Sequence, residues 1–162
     1  MAALGFSYAL VNGTQVAPMR YPKLYHGCGV PTPTEVKAAN GLPAKGVNLE
    51  LIEHAEPLPG STAESAFRGC TEFYQTALRD AGAALWGQWV YEIVDYPGYD
   101  INVLLQNRIP TPRGYRGPHM TAELEIAVPA AIPLAHLRGA GEVHANVRGV
   151  RVAWILDWSD PP

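Results

Sequence analysis

Ala122-Glu123-Leu124-Glu125-Ile126-Ala127-Val128-Pro129-Ala130-Ala131-Ile132-Pro133 sets two carboxylates two residues apart at the head of a strand-like run. Side chains alternate faces along a strand, so Glu123 and Glu125 point the same way, roughly 7 Å apart, while Leu124, Ile126 and Val128 make an apolar opposite face. Two readings follow. Either the pair grips one substrate, or the segment is a half-buried antiparallel strand whose acidic face is solvated.

Working outward, residues 108–121 are rich in Pro, Gly and Arg around Tyr115 and read as a loop that delivers the chain into this strand. Before it, Trp89-Val90-Tyr91-Glu92-Ile93-Val94 has strong strand character and is bounded by Tyr96-Pro97-Gly98, and Asp100 to Leu105 continues as a strand or short helix. Ser65-Ala66-Phe67-Arg68-Gly69-Cys70-Thr71 reads as a short strand and residues 72–86 as an Ala-rich amphipathic helix. Towards the N-terminus, residues 48–54 predict a turn or two of helix with Leu49 and Ile52 inward, and residues 33–39 a short capped helix ending at Asn40-Gly41. Lys23-Leu24-Tyr25-His26-Gly27-Cys28 predicts a strand, and Asn12-Gly13 the turn of a hairpin over residues 10–16. After the double-Glu run, residues 136–143 and 147–156 supply two more strands. Six to eight short strands with three short helices define an α+β domain of antiparallel or mixed sheets, a single domain over residues 1–162.

Composition narrows the partners. Charged residues make up 17% of the chain, the net charge is −3 and the twelve Lys plus Arg are scattered, so a nucleic-acid partner is disfavoured. No apolar run approaches a membrane span, and no signal peptide is visible in the chain. Cys28 and Cys70 lack metal-ligand spacing, the five histidines are dispersed, and no metal site is expected. The cysteines are either two small buried thiols or one disulfide of an oxidising compartment. Phosphate-loop, dinucleotide, serine-hydrolase and zinc-protease signatures are all missing.

Leu24-Tyr25-His26-Gly27, Gly46-Val47-Asn48-Leu49-Glu50-Leu51-Ile52-Glu53-His54, the segment from Ser65 to Thr71, Trp89-Val90-Tyr91-Glu92-Ile93, Pro97-Gly98-Tyr99-Asp100-Ile101-Asn102 and the double-Glu run follow one another in a set order. Taken together, they resemble the ADP-ribosyltransferase toxins, in the branch containing pierisin, scabin, pertussis toxin and the cholera-type enterotoxins. The resemblance implies two small antiparallel or mixed sheets forming an NAD cleft, with a few short helices. It implies that NAD is the substrate whose nicotinamide–ribose bond is broken.

In that resemblance Glu125 matches the invariant catalytic carboxylate. Glu123 matches the position whose Glu accompanies arginine modification. His26, Gly27, Arg68 and Thr71 are the implied NAD-binding residues, and Tyr115 lies on the segment that presents the acceptor. Two positions depart from the pattern. His26 stands where this branch commonly has Arg, a charge that Arg20, Lys23 or Arg68 would supply. Gly69-Cys70-Thr71 replaces a Ser-Thr-Ser strand, so support for Glu125 falls to Thr71, another group or water. Cys28 and Cys70 lie just beyond two strands expected to be neighbours, where a disulfide is geometrically reasonable.

The implied protein is a monomeric mono-ADP-ribosyltransferase of toxin or effector type, secreted or delivered into a target cell, that modifies an arginine of a target protein and hydrolyses NAD as a side activity. A non-catalytic binding module on the same fold and modification of a nucleic-acid base are the alternatives.

Overall fold

In a computed structural model of the chain, the structure describes residues 8–28, 31–55, 64–75, 77, 89–105, 125–146 and 149–155. The elements in chain order are β1 (Ala9–Val11), β2 (Thr14–Val16), β3 (Met19–Cys28), α1 (Pro33–Ala38), β4 (Gly41–Leu42), α2 (Leu51–Ala55), β5 (Phe67–Thr71), β6 (Trp89–Asp100), α3 (Ile101–Leu104), β7 (Glu125–Pro129), β8 (Ile132–Pro133), a 3₁₀ turn (Leu134–His136), β9 (Leu137–Asn146) and β10 (Gly149–Ile155). The α+β class and the antiparallel strand pairing both follow the sequence reading.

Local chemistry explains most of the boundaries. Asn12 (φ 49) and Gly13 (φ 77) take the left-handed conformations that a two-residue hairpin turn requires, closing β1 on β2. Thr32 caps α1 in a reciprocal box with Glu35, Pro33 opens the helix, and Asn40 at φ 58 ends it. Asp100 caps α3 by accepting from the Val103 amide, which settles Ile101–Leu104 as helix rather than strand. Of the helix predicted over residues 72–86, the described Tyr74, Gln75 and Ala77 are helical.

The strand beginning at Trp89 does not stop at Tyr96-Pro97-Gly98 but runs on to Asp100. Beyond Ile93 it has lost β9, and β7 joins only at Tyr99 and Asp100, so around Pro97 the strand has β3 alone as a neighbour. That is the edge-like setting in which a missing amide proton is tolerated.

The six-stranded sheet runs β10-β9-β6-β3-β5-β7, with β7 returning to β6. Its halves are joined unevenly. β3 pairs β6 over most of its length, whereas β3 meets β5 at a single pair, Tyr25↔Thr71. From His26 onward the β5-facing edge of β3 has no strand partner among the described residues. The sheet therefore divides into a four-stranded and a two-stranded part with a wedge opening between them. Apolar clusters fill both faces: Leu24, Cys70, Tyr91, Ile93, Ile126 and Val128 in one, Leu51, Phe67, Tyr99, Ile101 and Ala127 in another.

Candidate active site

β7 alternates as its sequence requires, with Ile126 and Val128 in the first cluster, but its other face is not solvated. Ala127 is fully buried in the second cluster and the Glu125 side chain is only 18% exposed. This corrects the half-buried reading with a wet acidic face. Glu123 and Tyr115 lie outside the described residues.

Register carries Glu125 to its neighbours. Thr71 lies opposite Glu125 and Gly69 opposite Ala127, and cross-strand partners share a face. A Cβ added at Gly69 would sit 2.8 Å from Glu125 Oε1, so the carboxylate occupies the room that a side chain at position 69 would take. Among the described residues Thr71 makes no bond to Glu125; its Oγ1 accepts from the Phe73 amide at 3.1 Å.

The group that supports the carboxylate is His54. Its Nε2 lies 2.5 Å from Glu125 Oε1 and its Nδ1 2.7 Å from Ser65 Oγ, with the His54 side chain 9% exposed. Five residues are too few for α2 to stand on helix propensity alone. Leu51 anchors it in the second cluster, and Asn48 brackets its start, accepting from the Glu50 amide at 3.0 Å and donating to Glu53. The imidazole meets the Phe67 ring edge to face, centroids 5.7 Å apart, which holds its plane. A hydrogen-bond donor aimed at a largely shielded carboxylate keeps it oriented beside the β3–β5 junction.

Sequence reasoning missed this residue by treating the histidines as dispersed. The available signal was local, an Asx-led helical turn ending in His54. The contact that matters is 71 residues away along the chain.

His26 spans the wedge from the other strand. Its Nδ1 lies 2.7 Å from the Gly69 carbonyl, so that nitrogen donates, and Nε2 is left as a buried acceptor with no partner among the described residues. Burial lowers its pKa to about 4, the Gly69 carbonyl opposes that shift, and the positive charges of Arg68 and Lys45 assist it, so the ring is neutral near pH 7. Gly27 is half-buried beside it and pairs with Val90 of β6.

The structure does not bring Arg68 to the carboxylate. It alternates with Phe67 and Gly69, so it shares the Cys70 and Val128 face, and it is 7% exposed. Its Nε donates to the Ala130 carbonyl and its Nη2 to the Pro43 carbonyl, both at 2.8 Å. The other basic candidates are also engaged: Arg20 pairs with Asp95, and Lys23 with Glu92. Lys45, which sequence reasoning did not single out, has a field that reaches His26, and its Nζ lies 3.4 Å from the Phe67 carbonyl.

Cys28 and Cys70 are free thiols, Cys70 buried in the first cluster. Burial raises the pKa of both, Cys28 to about 12. The described residues hold no group of three metal-ligating side chains, and no helix among them is long and apolar enough to cross a membrane.

No protein-family profile matches the chain and no curated protein does. Solved structures do. A guanine-specific ADP-ribosyltransferase superposes with a TM-score of 0.56 at 16% identity, over 78% of this chain and 71% of that one. Scabin toxin from Streptomyces scabies in complex with NADH gives 0.58 at 17% identity, over 83% and 73%. EcPltA gives 0.59 at 19%, over 82% of each chain. At these identities the likeness is one of fold. The chain has the ADP-ribosyltransferase fold, and among the structures sharing it are toxins.

Proposed function

We propose that this protein is a mono-ADP-ribosyltransferase of toxin or effector type that takes NAD as substrate, with Glu125 as its catalytic carboxylate. The observation that carries the reading is the Glu125–His54 pair beside the junction at which β3 and β5 part. The shared fold, and an NADH complex in one of its neighbours, add to it.

The residues fit the substrate. His26 Nε2, a buried acceptor without a described partner, suits a ribose hydroxyl or the carboxamide N–H of nicotinamide, and the Gly27 backbone lies beside it. Lys45, whose positive charge is felt at His26, is a candidate partner for a diphosphate. Departure of nicotinamide leaves positive charge developing on the ribose, as in glycoside cleavage. A preoriented carboxylate stabilises that charge more than it stabilises the ground state. Glu125, held by His54, whose ring packs on Phe67, has that character.

Arginine on a target protein is the proposed acceptor, resting on Glu123, whose carboxylate would take the guanidinium and help remove its proton. Water in its place would give NAD hydrolysis. A guanine base is the second reading, favoured by the likeness of fold to a guanine-specific enzyme. Either product suits a protein secreted or delivered into a target cell.

Nicotinamide release from NAD, measured alone, with agmatine and with guanosine, tests the proposal. Wild type releases nicotinamide, Glu125→Gln does not, and the acceptor that accelerates release and carries the ADP-ribose identifies the substrate class. A wild type inert toward NAD leaves a binding module on this fold.

A further inference from the structure

We infer that Ser65 is a positioning residue for this reaction, setting the tautomer of His54 so that an N–H, and not a lone pair, faces Glu125. The inference rests on the functional reading above, although its geometry stands without it.

Ser65 Oγ lies at the junction of two contacts: the Phe67 amide donates to it at 3.1 Å, and His54 Nδ1 is 2.7 Å away. A hydroxyl has one proton to give. With the Phe67 amide using one lone pair of Oγ, the hydroxyl proton is free to point at Nδ1, which makes Nδ1 the acceptor of the neutral ring. The ring proton is then on Nε2, 2.5 Å from Glu125 Oε1. The opposite tautomer would bring a nitrogen lone pair against a carboxylate oxygen at that distance.

The chain of bonds runs in one direction, from the Phe67 amide through the Ser65 hydroxyl to Nδ1, and from Nε2 to Glu125. In the imidazolium both nitrogens donate, and Oγ accepts the second bond on its remaining lone pair by rotating its proton away. Ser65 therefore keeps an N–H on Glu125 in either charge state of the ring.

The spacing is held by the backbone. Residue 65 bridges Asn48, the Gly46 amide donates to the Ser65 carbonyl at 3.0 Å, and the Ala66 amide donates to the Asn48 carbonyl at 2.9 Å. Asn48 also brackets the start of the helix that carries His54. One residue thus anchors both ends of the Ser65–His54 contact.

The test joins ring spectroscopy to kinetics. Long-range proton–nitrogen correlation of the His54 ring in wild type should show the proton on Nε2 and an unprotonated Nδ1. Ser65→Ala should shift the ring toward the Nδ1–H form or into exchange, and lower kcat for nicotinamide release about five- to tenfold, as loss of one hydrogen bond implies, with KM for NAD unchanged. Ser65→Thr should restore both readouts, and in a His54→Ala background Ser65→Ala should have no further kinetic effect. Ser65→Cys, with its weak thiol donor, serves if the Ala variant does not fold. A Ser65→Ala or Ser65→Cys ring that keeps its proton on Nε2 overturns the inference. If wild type releases no nicotinamide, the functional reading falls by itself and the ring spectra alone decide the role of Ser65.

Discussion

The two faces of the β5–β7 pair, built from alternate residues of the same two strands, have opposite chemistry. One face carries Phe67, Gly69, Thr71, Glu125 and Ala127, and on it a carboxylate is held by an imidazole at the edge of an opening. The other carries Arg68, Cys70, Ile126 and Val128, and its guanidinium is closed in and committed to two backbone carbonyls. Arg68 and Gly69 are adjacent in sequence yet serve different ends. Along a strand, adjacency guarantees separation, so a charge next to a site residue is the one charge that cannot share its face. On the wedge face a polar group is available to a ligand, while on the other it ties β5 to the Ala130 and Pro43 segments.

The contrast can be broken by experiment. Glu125→Gln should reduce nicotinamide release by about a thousandfold, the upper range for loss of a preorganised electrostatic group, while the midpoint of thermal unfolding changes little. His54→Ala should lower kcat about a hundredfold with a smaller change in KM, measured by the same assay, because the carboxylate is freed from its donor rather than removed.

Gly69→Ala comes next. Its Cβ would arrive 2.8 Å from Glu125 Oε1, and a carboxylate at the end of a flexible side chain moves aside more easily than a strand does. About a tenfold loss of kcat with a native melting curve is expected, in line with the cost of misplacing a reacting group. A large loss of stability instead would mean that position 69 belongs to the core and not to the site.

On the other face the expected signature is reversed. Arg68→Met should leave KM for NAD unchanged while destabilising the fold by about 2 kcal/mol, read from denaturant unfolding, because the buried Ala130 carbonyl and the part-buried Pro43 carbonyl lose their donors. A raised KM with unchanged stability would return Arg68 to the substrate and erase the distinction between the faces.

A pH-dependent test concerns His26. Its pKa is lowered from 6.5 in the unfolded chain to about 4 in the folded one, so between those values the unfolded state binds more protons. Its contribution to stability is therefore full above about pH 6.5 and is lost as pH falls towards 4. Unfolding free energy measured across that window should fall more steeply in wild type than in His26→Gln, whose side chain does not titrate.

Much of the frame is legible in the sequence because it is written locally. The Asn12-Gly13 turn, the Thr32 capping box, the alternation that buries Ile126 and Val128, and the strand through Tyr91 and Ile93 each depend on neighbours within a few residues. The site is less legible. Glu125 stands out because it heads a patterned strand, but the group that meets its carboxylate, His54, comes from a separate helix, while Thr71 Oγ1 accepts from the Phe73 amide. The face that Arg68 takes follows from the register between β5 and β7, which no local stretch of sequence shows. Pro97-Gly98 reads as a terminator unless the local absence of a second neighbouring strand is known.

By itself, then, the sequence determined the α+β class, most element positions, the apolar face of β7 and the carboxylate at its head, all of which follow from short-range periodicity, capping and turn chemistry. Only the tertiary structure decided that β3 and β5 part after one pair, that Glu125 rests over Gly69, and that Ser65 and His54 reach it from a separate helix and bridge. Those outcomes depend on register and on contacts across as many as 71 residues. Such contacts are selected by how two apolar clusters pack on opposite faces of one sheet, a choice that no local stretch of chain encodes.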